Sequence, residues 1–180
     1  MLQITVPGAE QYDPVQNLFF TTKETTLVLE HSLLSVSKWE SKWKKPFLNM
    51  KQFTPEQLLD YVRCMTITQN VDPKVYQALT KDNLSDILKY MEDPMTATTV
   101  NDKNMRGGRG KVVTSELLYY WMTALNIPCE CQKWHLNRLM MLIRVASIEQ
   151  QPPKQMSKRD IMSQNKALNA ARRAKHGSRG

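Results

Sequence analysis

The chain has 180 residues, an apolar fraction of 41% and a formal net charge of +8, a length and composition ordinary for one soluble domain with a real core. No apolar run approaches the roughly 20 residues that cross a bilayer, and the opening MLQITVPGAEQYD lacks the order of a signal peptide, which places the chain in a cytoplasm. Three cysteines, Cys64, Cys129 and Cys131, make no disulfide framework, and their odd count fits free thiols in a reducing compartment.

The charge is segregated. Residues 1–151 are nearly neutral, whereas residues 152–180 carry Lys154, Lys158, Arg159, Lys166, Arg172, Arg173, Lys175 and Arg179 against Asp160 alone. The basic balance is therefore a property of the tail, and only the tail is a candidate for an acidic partner or for nucleic acid.

In chain order, Leu2 to Val6 alternates apolar and polar residues, Pro7-Gly8 closes the run as a turn would, and Thr26 to Glu30 is a second β-type run. Together they predict a small antiparallel ribbon within about residues 1–31. Between them Tyr12-Asp13-Pro14 reads as another turn, and Leu18, Phe19 and Phe20 supply a further strand or a cover. From Leu33 the period changes to that of a helix: Leu33, Val36, Trp39 and Trp43 share one stripe, and Pro46 stops it. Thr54-Pro55-Glu56-Gln57 is a capping-box start for a helix carrying Leu58, Leu59, Val62 and Met65. Asp72-Pro73 opens a short helix, and Thr80 or Asp82 caps another that ends at Asp93-Pro94.

Residues 95–111, with Gly107, Gly108 and Gly110, lack an apolar period and read as a mobile surface loop. Ser115 to Gln151 then concentrates apolar and aromatic mass in two helices split by Pro128. The second is apolar over most of its circumference, with a narrow polar stripe through Lys133, Asn137 and Arg144, so it is expected at the centre of the core. Pro152-Pro153 ends it, and Ser157-Lys158-Arg159-Asp160 opens a last, thinly amphipathic helix. The expectation is mainly α: a globular domain over 1–151 with an N-terminal β element, and a basic helical appendage over 152–180.

Chemistry-bearing patterns are sparse. Cys129, Cys131 and His135 have metal-ligand types, but structural zinc sites want four ligands and usually Cys-x-x-Cys spacing, so buried thiols and a hydrogen-bonded histidine are the expectation. No nucleophile elbow appears, and Arg106 to Lys111 lacks the order of a phosphate-binding loop. Neither a catalytic residue nor a cofactor is expected. Trp39, Trp43 and Phe47 have two readings, as core and as anchors of a contact surface, because Lys38, Lys42, Lys44 and Lys45 flank them. The cations Lys158, Arg159, Lys166, Arg172, Arg173, Lys175 and Arg179 have no interleaved aromatic residue, so any nucleic-acid contact would be weak, sequence-independent and salt-sensitive.

The blocks Leu29–Leu48, Met95–Thr99, Val113–Val145 and Lys166–Lys175 resemble a family of small proteins of long-tailed phages and prophages, associated with tail genes and tail assembly chaperones. The likeness runs through nearly the whole chain. It implies a non-enzymatic helper in the host cytoplasm that binds tail proteins, the tape measure and the tail tube, during tail assembly, and a homo-oligomer fits it as well. The strongly basic C-terminus departs from that pattern. It leaves open a structural virion protein, such as a tail-completion or connector subunit, or a nucleic-acid-binding protein acting through the tail.

Overall fold

The computed structural model describes residues 1–13, 17–99, 112–150 and 158–177, in two compact units, Met1–Ser147 and Ile148–Gly180. The expected loop at 95–111 falls mostly outside the described residues, as do Pro152-Pro153 and Arg179. The fold is mainly α with a small antiparallel β element.

Four strands, β1 (Leu2–Val6), β2 (Ala9–Asp13), β3 (Leu18–Thr22) and β4 (Thr25–Leu29), form two antiparallel pairs, β1 with β4 and β2 with β3. Both pairs keep one register: Leu2 faces Leu29, Val6 faces Thr25, Ala9 faces Thr22 and Asp13 faces Leu18. They are two segments of one long ribbon. Pro7-Gly8, expected as its closing turn, is instead an interruption, after which the chain continues into β2. The strands come unusually close there, since a Cβ on Gly8 would stand 2.9 Å from the Thr22 carbonyl oxygen and 3.1 Å from the Glu24 nitrogen. Likewise Tyr12 and Asp13, expected in a turn, are strand residues held by their ladder partners Phe19 and Leu18.

Alternation along β1 and β4 puts Ile4, Val6, Leu27 and Leu29 inward. The free edge of β4 is covered by the chain leaving the second helix: Glu30 N–H donates to Met65 O at 2.9 Å and Ile67 N–H to Val28 O at 2.8 Å.

Helix α1 (Leu33–Trp43) is capped by Ser32 and ends where Lys44 turns left-handed, at φ 54°. It packs on α2 (Pro55–Met65), on α4 (Ser115–Ala124) and on the 3₁₀ turns Phe47–Asn49 and Cys129–Lys133. With Leu33, Val36 and Trp39 fully buried, α1 is the centre of the core. The capping boxes at Thr54–Gln57 and Thr80–Asn83 form in full, starting α2 and α3 (Lys81–Glu92), and α3 packs on β1. The segment after Asp72-Pro73 is a 3₁₀ turn, Pro73–Ala78, rather than an α-helix.

Helix α5 (Leu136–Glu149), expected at the centre, is not there. It buries only Leu136, Leu139 and Ile143, an i, i+3, i+7 stripe, while Met140 is 39% exposed and Met141, Leu142 and Val145 are half-buried. Leu142 and Ala146 pack against the core beside this stripe, and the rest of the apolar surface is left part-open. In the second unit, helix α6 spans Lys158–His176.

Candidate protein-binding surface

Trp39 and Phe47, read in the sequence as core or as contact anchors, lie inside the molecule, which corrects the anchor reading for both. Trp39 is 0% exposed and its indole N–H donates to Gln57 O at 3.0 Å. Its ring meets Phe47 and Phe53 edge-on, at centroid distances of 5.3 and 5.7 Å, and Phe47 in turn lies 4.2 Å from Tyr61. A buried tryptophan whose one polar atom is bonded internally has nothing left to offer a partner.

Trp43 is half-buried and stacks on Trp39 at 6.0 Å. Its indole N–H donates to Asp60 Oδ2 at 2.8 Å, and Lys42 pairs with the other carboxylate oxygen. Burial pushes the Asp60 carboxyl up, but the bonds from Lys42 and Trp43 and the charges of Lys42 and Arg63 outweigh it and hold the group below the usual range. Of the three aromatic candidates only Trp43 reaches a surface depression, of about 440 Å³, which it lines with Glu56, Leu59, Arg63 and Gln77.

The histidines are structural. His135 is buried, donates Nε2–H to Tyr90 O at 2.9 Å and accepts Asn137 N–H on Nδ1 at 3.3 Å, so both ring nitrogens are used. Cys131 is buried and Cys129 exposed. Among the described residues no three histidine, cysteine or acidic side chains are grouped so as to hold a metal ion. The His31 ring lies 5.1 Å from that of His135, and its Nδ1 is hydrogen-bonded to the Tyr61 hydroxyl. Burial, and then the neighbouring His135, push the His31 pKa down to about 3, so it is neutral at pH 7. Beside it Tyr90 O–H donates to Glu30 Oε1 at 2.7 Å. This polar knot joins the end of β4, α2, α3 and the start of α5, and His135 is the histidine of the Cys129, Cys131, His135 cluster, hydrogen-bonded as the sequence led one to expect.

One surface that the fold leaves open is the outer face of α5 with Trp134 just before it. Trp134 is 37% exposed, with the Arg138 guanidinium 4.4 Å from its ring centroid. Met141, Leu142 and Val145 continue the face, and with Met95 to Thr98 they enclose a groove of about 390 Å³. Asn137 fixes one wall, since its side-chain amide donates to Met91 O at 3.0 Å and Asp93 O at 2.7 Å at the C-terminus of α3. The sequence carried the signal for this face as a surplus of apolar residues on α5 beyond one stripe. On α6, Lys158, Arg159, Lys166, Arg172, Arg173 and Lys175 are all exposed.

Compared with protein-family models, with curated proteins and with solved structures, the chain matches none.

Proposed function

We propose that this chain is a non-enzymatic phage tail assembly chaperone, and that the outer face of α5 is where it holds its clients. The observation that carries the reading is the open groove of about 390 Å³ in which Trp134 and Arg138 stand beside Met141, Leu142 and Val145. Tryptophan and arginine are the residues that most often anchor protein contacts, and methionine adapts its shape to varied partners. The clients are apolar helical segments of unassembled tail proteins, the tape measure first among them. A holdase needs only to bind the unassembled state better than the assembled one, so one shallow, adaptable groove suffices. The sequence blocks that resemble tail-gene proteins support the same reading, and two of them, Met95–Thr99 and Val113–Val145, contribute residues to this groove.

Co-expression with the neighbouring tail proteins, affinity capture and mass spectrometry of both the complex and mature particles tests it. The chain should be recovered with a tail protein from lysates and be absent from mature particles. Stoichiometric presence in the particles would make it a structural virion subunit instead.

A further inference from the structure

We propose that α6 binds the phosphate backbone of nucleic acid along one face, through Arg159, Lys166 and Arg173. These three stand seven residues apart on a helix that runs from Lys158 to His176. Seven residues are close to two full turns, so the three cations fall on one side, about 10.5 Å apart along the axis. All three are exposed, and among the described residues none is paired with a carboxylate. Asp160 is the one acidic residue of 152–180.

The opposite side of the helix holds Ile161, Leu168 and Ala171, with the polar Gln164 among them and Lys175 at the end, about 180° from the cations by helical geometry. Whatever covers that side leaves the stripe open. The two faces can therefore be used at once, one for packing and one for charge.

The partner's chemistry follows from what flanks the stripe. Its neighbours on the helix surface are Met162, Ser163, Asn169 and Ala170, of which Met162, 72% exposed, is the one large apolar side chain; none is aromatic, whereas protein interfaces centre on aromatic anchors. Without an aromatic side chain the face cannot stack on bases, so it reads phosphate and not sequence. Arginine at two of the three positions suits phosphate oxygens. Duplex DNA offers one negative charge per about 1.7 Å of axis, so a stripe of this spacing meets phosphate in any register. An acidic protein would have to present carboxylates at a matching interval. This inference is independent of the client groove on α5.

The test is fluorescence anisotropy of a labelled mixed-sequence duplex of about 30 base pairs with the full chain, between about 50 and 200 mM salt. The unmodified chain should bind with a steep salt dependence. R159Q/K166Q/R173Q should flatten the slope of log K against log salt by about 2.7, or 0.9 for each of three lost phosphate contacts. R172Q/K175Q, which removes two charges from the opposite side of the helix, should flatten it by less than about 1. Glutamine keeps helix propensity, and circular dichroism of both variants checks that α6 persists. No binding at the lowest salt, losses proportional to charge count in the two variants, or equally tight binding of polyglutamate of matched charge would each overturn the proposal.

Discussion

Replacing Trp39 and Trp134 separately distinguishes a residue that builds the fold from one that meets a partner. Trp39 is wholly buried among Phe47, Phe53 and Trp43, and its N–H satisfies the Gln57 carbonyl. Trp39→Ala removes a large buried ring together with its bond to that carbonyl, which should cost about 3–5 kcal/mol. That is a large share of the 5–15 kcal/mol typical of a whole domain, so partial unfolding at 25 °C is an acceptable outcome. Trp39→Phe keeps part of the volume and should cost about 1–3 kcal/mol, leaving a folded protein to measure. Trp134, 37% exposed and held by Arg138, should cost only about 1 kcal/mol when changed to alanine. Urea unfolding followed by far-ultraviolet circular dichroism gives the stabilities, and capture of a co-expressed tail protein gives the binding. Trp39→Phe should still capture its client while Trp134→Ala should not. A Trp39→Ala variant within about 1 kcal/mol of the parent that has lost its client would return Trp39 to the surface and refute the reasoning.

Glu40 is the other test of the core. It is buried and accepts the Phe47 N–H on one oxygen and the Ser115 N–H on the other, both at 2.7 Å, so a single carboxylate fastens α1 to the start of α4. Glu40→Ala should cost about 3–5 kcal/mol in urea unfolding, with Glu40→Gln in between, since an amide has one acceptor oxygen for two donors. Gly8→Ala should also destabilise, by about 1–3 kcal/mol, because both atoms a Cβ would meet are backbone and the ribbon must open to admit it. An unchanged melting temperature would show that the strands are not close there. For pH, the His31 pKa lies below its value in the unfolded chain, so the unfolded state binds the extra proton. Stability is then full above pH 6.5 and falls on acidification towards the folded pKa of about 3. The slope should approach about 1.4 kcal/mol per pH unit once below 6.5, and His31→Gln should flatten it between pH 6.5 and 4.5. Equal slopes in the two proteins would remove His31 as the cause.

Much of the local structure was legible because its causes are local. Thr54, Thr80 and Thr114 accept amides within their own first turns, and the alternation of Leu2 to Val6 needs only the two-residue period of a strand. The same locality explains the misreadings. Pro7-Gly8 has the composition of a turn, but the partner strand carries the ladder past it in register. Trp39 and Trp43 carry the same side chain in one stripe, and only the position of α2 makes the first fully internal and the second half-open.

The sequence by itself determined where α2, α3 and α4 begin, that the runs at Leu2–Val6 and Thr26–Leu29 are strands, and that the positive charge belongs to residues 152–180, since caps, periods and charge counts do not depend on distant neighbours. Tertiary structure alone decided that α1, with its single apolar stripe, and not the more apolar α5 becomes the centre. Helix α1 is enclosed by α2, α4 and the 3₁₀ turns Phe47–Asn49 and Cys129–Lys133, while α5 buries one stripe fully and leaves Met140, Met141 and Val145 part-open. The physical reason is that hydrophobicity states how much a face gains from being covered, whereas the finite area of the core decides which faces are covered.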